Sequence, residues 1–197
     1  AYPSVATYWL PAIIAGFQKD YPNVEIQIIE GGTDIIEGAM ERREADLCLY
    51  AGGEGKNFEW LPLCEDQMLA LVPPGHPLAE GAFVPLESFL AEPFIMPMQG
   101  YDGEVHDILS NLPQQPHILF SACSDYAIIS MVAKGLGVSI LADLLLRNYP
   151  NDAVALPIQP PQFRMLGMGV PQVKTASPMT RNFMRYVQAY VEKMKQI

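Results

Sequence analysis

Apolar positions along the chain switch between a helical and an alternating period, and the switches fall at proline, glycine and asparagine. Leu10, Ile13, Ile14, Phe17 and Tyr21 recur at helical spacing, with Lys19 and Asp20 on the other face. Ser4 is a plausible N-cap for this helix, and Pro11 is tolerable near its first turn or at a kink. Tyr21-Pro22-Asn23 stops it. Val24, Ile26 and Ile28 alternate with Glu25 and Gln27, which predicts a strand. Gly31-Gly32-Thr33-Asp34 turns the chain into a helix carrying Ile35, Ile36, Ala39 and Met40, and residues 45–51 read as a buried strand ended by Gly52-Gly53. Helix, strand, helix, strand in this order implies a parallel sheet with crossover helices.

A second α/β unit follows. Residues 67–72 form an apolar strand that Pro73-Pro74-Gly75 ends, and Phe94-Ile95-Met96 a short one. Residues 102–112 are expected as a helix and 117–120 as a strand. Asp125 can cap a helix bearing Ile128, Ile129 and Val132, which Gly135-Leu136-Gly137 closes in left-handed conformations. Residues 138–141 read as a strand, 142–148 as a short helix and 164–170 as a late strand. The terminal helix carries Phe183, Val187, Tyr190, Val191 and Met194 on one face and is expected on the first lobe. The fold class is therefore α/β, with two Rossmann-like lobes joined by two crossing strands. Lobe I takes residues 1–72 and 164–197, lobe II residues 73–163. Ligands in open parallel sheets bind beyond the carboxyl ends of strands, so a cleft between the lobes is the expected site.

With 197 residues, half of them apolar, the chain is long enough for a sizeable core, and it has no low-complexity tract. No apolar run approaches the roughly 20 residues that cross a bilayer, and no basic–apolar leader opens the chain. Twenty-two acidic residues against 12 basic ones give a formal charge of −10. The basic residues are scattered, clustering only at Arg42-Arg43 and at Lys193 with Lys195, so this surface repels DNA. Cys48, Cys64 and Cys123 lack CxxC spacing, and Cys48 and Cys64, in or beside apolar runs, read as reduced, packed thiols of a cytoplasmic protein. His76, His106 and His117 show no ligand spacing with them, so neither a metal nor a cofactor is expected.

Several stretches resemble the effector domain of LysR-type transcription regulators. They are Leu10-Pro11 with Phe17 and Tyr21-Pro22; Glu30-Gly31-Gly32-Thr33 before a helix and Ala45-Asp46; and residues 69–73 leading into His76-Pro77-Leu78-Ala79. The last is Met131-Val132-Ala133-Lys134-Gly135-Leu136-Gly137-Val138-Ser139, similar to the Val-Ala-x-Gly-x-Gly segment of that family. Ala142 departs from it, standing where the family usually places proline. The resemblance implies a fold like the type 2 periplasmic binding proteins. It also implies a winged helix-turn-helix before Ala1, absent from this chain, with the start of the first strand cut off too. Dimers or tetramers are implied, and DNA is a partner only through that missing domain. The helices over 4–20 and 125–134 are then candidates for the dimer surface, although their apolar faces serve an intramolecular core equally well.

Candidate effector contacts lie at four strand-to-helix junctions. Ser4, Val5 and Thr7 offer amides and hydroxyls at a helix start, which favours an anion or carboxylate. At the second junction Gly32 and Thr33 combine close backbone approach with a hydroxyl. Met98, Gln99, Gly100 and Tyr101 follow the first strand of lobe II, the glutamine supplying hydrogen bonds and the tyrosine a covering ring. Ser124, with Asp125, stands before the next helix. Each has a plainer reading as a cap or surface loop. No Lys or Arg lies in the four loops, which points to a neutral or singly charged small molecule; Arg164 and Lys56 remain within possible reach. Ser124, Asp125 and His106 are the residue types of a hydrolase triad, but no Gly-x-Ser-x-Gly elbow accompanies them, and a sensor is expected rather than an enzyme. An extracytoplasmic solute-binding protein of a transporter is the alternative function on the same fold.

Overall fold

In the computed structural model, residues 1–52, 57–98, 100, 103–147 and 149–195 are described. Elements follow in chain order: α1 (Pro3–Tyr8), α2 (Leu10–Asp20), α3 (Thr33–Glu41), β1 (Cys48–Ala51), β2 (Glu59–Val72), β3 (Val84–Pro85), β4 (Phe94–Pro97), α4 (Gly103–Leu109), β5 (Ile118–Ala122), α5 (Asp125–Ala133), β6 (Ser139–Ala142), α6 (Asp143–Leu146), β7 (Val154–Val170) and α7 (Pro178–Met194). They sort into two compact units. One holds Ala1–Glu65 with Met165–Ile197, the other Asp66–Arg164. The chain passes from one to the other within β2 and returns within β7, and these two long strands are neighbours in the sheet. The outgoing break thus lies inside β2, ahead of Pro73.

In the first unit, the helix expected to run through residues 4–20 is two helices. Trp9, at φ −104° and ψ −52°, separates them. Pro3 and Pro11 each occupy a first turn, where the missing N–H costs nothing. Phe17, almost fully buried, meets Phe183 of α7 edge-on at 5.1 Å and Tyr186 at 5.3 Å, so the amphipathic terminal helix packs on α2. Tyr190 donates from its hydroxyl to the Tyr8 carbonyl at 3.1 Å, and Tyr186 from its own to Asp20. β1 runs antiparallel to the end of β7, Cys48 opposite Gly169 and Ala51 opposite Leu166. The alternating segment over 24–28 is not a strand, because it has no ladder partner among the described residues.

In the second unit, β4 and β5 are parallel with α4 between them in sequence, the crossover unit expected from the alternating pattern. β4 also bridges to Val138, and β6 runs antiparallel to the second half of β2, Met68 opposite Ala142. Phe89, Phe94, Val105, Leu109, Val138 and Ile140 form the heart of this core, all of them almost inaccessible. Ser139 is buried with them and donates from Oγ to the Ile95 carbonyl at 2.8 Å, so its hydroxyl is satisfied. β5, by contrast, leaves Ile118, Leu119 and Phe120 exposed.

α5 ends as its glycines require. Gly135 lies at φ +77° and Gly137 at φ +157°, and a Cβ on Gly137 would stand 2.4 Å from the Pro93 carbonyl oxygen. Backbone cannot yield as a side-chain tip can. Gly137→Ala is therefore expected to destabilise the chain by about 2–3 kcal/mol. Gly135→Ala has nothing within 4 Å and should cost only the left-handed strain, about 1 kcal/mol. Urea unfolding of the two variants measures the difference, and equal losses would show that the Pro93 contact does not govern this turn.

Candidate functional site

The first unit brings two of the expected junctions together. Tyr2 precedes α1, and its hydroxyl meets Thr33 Oγ1 at 2.6 Å and reaches the Ala51 carbonyl at 3.5 Å. Its backbone N–H donates to the Leu49 carbonyl at 3.0 Å, while the Gly31 N–H donates to the Ala1 carbonyl at 3.3 Å. The starts of α1 and α3 are thereby fixed side by side. Thr33 is the first residue of α3 rather than its cap; Gly32 holds the cap position at φ −76° and ψ −178°. Neither glycine has a positive φ, and Gly31 owes its place to room. A Cβ on Gly31 would stand 2.7 Å from Ile35 Cβ.

Two expectations at α1 change. Ser4 is not the N-cap but lies inside the helix and is buried; Tyr2 takes the cap position without a side-chain bond. Val5 is fully buried and belongs to the core, so its side chain is no wall of a surface site. Thr7 is exposed on α1. Tyr2 was missed by sequence reasoning, although an aromatic directly before Pro3 at a helix start was a usable signal.

In the second unit the expected loops follow the carboxyl ends of two adjacent parallel strands. The Met98 N–H donates to the Ala122 carbonyl at 2.9 Å, tying the loop after β4 to the one after β5. Met98 is exposed, and Gly100, at φ +89°, takes a conformation that favours glycine. Gln99 and Tyr101 lie outside the described residues, as does Lys56. Ser124 is the N-cap of α5, its Oγ accepting from the Ala127 N–H at 3.4 Å, and it remains exposed. The pair Met98 and Ser124 thus sits where open parallel sheets present ligands.

Charge in this unit is committed to structure. The Arg164 guanidinium donates from Nε and Nη2 to Asp66 Oδ2 at 2.9 and 2.8 Å, and both side chains are buried. Asp66 Oδ1 accepts from the Leu144 N–H at 3.0 Å, at the start of α6. Desolvation raises the Asp125 carboxyl above the usual aspartate range; Arg164 opposes this and Glu104 adds to it. Among the thiols, Cys48 is buried and pushed up to about 12, chiefly by desolvation, whereas Cys123 is exposed. No group of three or more His, Cys, Asp or Glu among the described residues has the arrangement to hold a metal. No helix there is long and apolar enough to cross a membrane.

The family described as the LysR substrate binding domain matches residues 1–192. The chain belongs to that family. It is 28% identical over 187 residues to YybE of Bacillus subtilis, an HTH-type transcriptional regulator, covering 93% of this chain and 64% of that one. The domain therefore spans just under two thirds of that relative's length. Its fold is similar to the regulatory domain of CcmR from Synechocystis PCC6803, solved in complex with 2-PG, at a TM-score of 0.89 and 21% identity over 98% of this chain and 95% of that one. The effector-binding domain of QuiR in complex with shikimate is similar at a TM-score of 0.85 and 20% identity, covering 98% and 94%. The two-unit α/β architecture is accordingly that of LysR regulatory domains, like the type 2 periplasmic binding proteins.

Two outcomes test the electrostatics. Asp66→Ala strands the Arg164 guanidinium and the Leu144 amide, and should destabilise the domain by about 3–5 kcal/mol. Adding Arg164→Ala should cost clearly less than the sum of the single changes; additive losses would show that the two groups do not act as a pair. At Asp125 the folded pKa lies above the unfolded one, so the folded chain binds the proton more tightly and stability falls as pH rises through the interval between them. Asp125→Asn should raise the melting temperature at neutral pH, the gain vanishing below about pH 4. A gain that persists in acid would trace to packing instead.

Proposed function

We propose that this domain is the effector-sensing part of a LysR-type transcription regulator, binding a small molecule and passing its occupancy to DNA binding. The match to the LysR substrate binding domain over nearly the whole chain carries this reading. It favours a regulator over a transporter's solute-binding protein, and a sensor over an enzyme. Ser124 fits the latter point, since its hydroxyl serves as a helix cap. A formal charge of −10 with scattered basic residues fits contact with DNA through another part of the polypeptide, and a cytoplasmic compartment follows from the regulator reading. Self-association is expected, with the exposed apolar row Ile118, Leu119 and Phe120 on β5 as a better candidate surface than the apolar faces of α2 and α5, whose Phe17 and Ile128 are buried in the core.

The effector contacts are Ser4, Thr7, Gly32 and Thr33 in the first unit and Met98, Gln99, Gly100, Tyr101 and Ser124 in the second, with Tyr2 added and Val5 contributing through its backbone alone. The ligand is neutral or singly charged. None of these loops carries Lys or Arg, and Arg164, one of the two cations raised by the sequence, has its guanidinium held by Asp66. A differential affinity of the effector for two arrangements of the chain is what would transmit the signal.

Shikimate, bound by a protein of similar fold, is a suitable first probe because it pairs one carboxylate with hydroxyls. A ligand at one hundred times its Kd stabilises a folded domain by about 2.7 kcal/mol, a plain upward shift in melting temperature. We expect singly charged hydroxy acids to shift the domain and succinate, a dicarboxylate, to leave it unmoved. Thr33→Ala should weaken the best ligand about five- to tenfold, one hydrogen bond's worth. A larger response to succinate would overturn the charge assignment, and unchanged affinity in Thr33→Ala would remove that residue from the site.

A further inference from the structure

α3 and α5 end in the same turn. At α5 the Gly135 N–H donates to the Val132 carbonyl at 2.8 Å and the Leu136 N–H to the Met131 carbonyl at 3.2 Å. At α3 the Arg43 N–H donates to the Met40 carbonyl at 3.1 Å and the Glu44 N–H to the Ala39 carbonyl at 2.8 Å. This pair of bonds closes a helix around a left-handed residue, for which glycine is the usual choice. Gly135 meets the demand at φ +77°, and Arg43 meets it at φ +56°. Among the described residues Arg43 is the one non-glycine with a positive φ. Its Cβ is strained there, and a glycine would not be. Strain of this kind persists where the side chain has a use. That use is not an ion pair within the fold. Neighbouring Arg42 donates from Nε and Nη2 to the two carboxylate oxygens of Glu44, each at 2.9 Å. Arg43 makes no ion pair among the described residues.

Arg43 lines a cavity of about 720 Å³ in the first unit, together with the apolar Met40 and Phe58 and the polar Glu41, Asp46 and Asn57. A guanidinium and two carboxylates share this space, and none of the three is paired with another. The start of α7 borders it too, but there Ser177 Oγ already accepts from the Thr180 N–H at 3.0 Å, so the helix end is not what recommends the site. Neither Ala1 nor any of the candidate effector contacts lines the cavity. We propose that it is a second binding site, for a small zwitterion: an α-amino acid with an apolar side chain. The Arg43 fork takes the carboxylate, a match of geometry as well as charge. Glu41 and Asp46 take the ammonium, and Met40 and Phe58 face the side chain. A carboxylate without an ammonium would meet two uncompensated acids, and an amine without a carboxylate would meet the guanidinium, so the site selects against each half alone. Its volume lies within the range of small-molecule pockets, roughly 300–1,000 Å³. The proposal does not depend on which effector binds at the strand-to-helix junctions.

The test uses the full-length polypeptide, with L-leucine as the probe and two relatives that each lack one charge, 4-methylpentanoate and 3-methylbutylamine. Calorimetric titration reads affinity, and thermal unfolding reads stability. Leucine should bind, and each relative should bind about tenfold more weakly or worse, the loss of one charged contact. Arg43→Gly relieves the turn, so it should raise the melting temperature by about 2–4 °C while weakening leucine about tenfold or more. Arg43→Lys keeps both the charge and the strain and should retain part of the affinity. No binding of leucine at about 10 mM, where even a millimolar ligand registers, would sink the proposal. Full affinity in Arg43→Gly would do the same, as would 4-methylpentanoate binding as well as leucine. Loss of leucine binding in Thr33→Ala but not in Arg43→Gly would place the amino acid at the start of α3 instead, and the second site would fall while the effector contacts stood.

Discussion

Burying a carboxylate costs several kcal/mol unless nearly every lone pair finds a donor. Asp66 meets that condition from two directions. Oδ2 takes both guanidinium donors of Arg164, and Oδ1 takes the Leu144 amide that begins α6. The partners come from β2, β7 and α6, so one side chain fixes the spacing of two strands and a helix start at once. These are also the positions where each crossing strand meets its unit boundary, Asp66 opening the second unit and Arg164 closing it. An apolar pair of similar volume would serve stability as well. What the ion pair adds is register, because a slip of either strand by one residue would turn Asp66 or Arg164 to the opposite face.

The same pair shapes the chemistry of the neighbouring loops. Arg164 is the cation that opposes the desolvation of Asp125, the residue after the Ser124 cap. With its donors turned to Asp66, the second unit presents hydroxyl and backbone groups at the carboxyl ends of β4 and β5 rather than an exposed guanidinium.

Most elements were legible because their periodicity and punctuation agree. The α2 and α7 stripes, the α5 helix with its closing glycines and the parallel β4–β5 unit follow from spacing alone. What failed did so for identifiable reasons. The pattern over 24–28 is a strand's, but a strand is a relation between two segments, and the sequence pattern of one does not show whether its partner is beside it. β7 begins at Val154, ten residues before the expected start, because Pro157, Pro160 and Pro161 read as breakers although strand positions with no ladder bond to donate accept proline. β2 likewise starts at Glu59 in spite of Pro62. In the site, the junctions were legible and their atomic roles were not. Ser4 and Thr33 both look like caps, yet Tyr2 and Gly32 hold those positions, and the Tyr2–Thr33 contact joins residues 31 apart. Asp66 gave no signal, because its partner lies 98 residues away.

Likeness of fold at about 20% identity separates what the backbone preserves from what side chains decide. The backbone fixes where helices start and strands end, and so which positions face a ligand. It does not fix what stands there. At the first unit's junction a tyrosine hydroxyl is spent on Thr33, so the threonine enters any ligand contact already oriented. Replacing Thr33 would change the donor pattern while leaving the backbone bonds from Tyr2 to Leu49 and from Gly31 to Ala1 in place, whereas the Tyr2 ring is also buried, edge-on to Tyr50 at 5.9 Å. On the proposed reading, effector choice drifts through a handful of hydroxyl, amide and aromatic positions while Asp66, Arg164 and the closing glycines hold the scaffold. That division of labour explains why family membership is readable from the whole chain and effector identity only from a few of its residues.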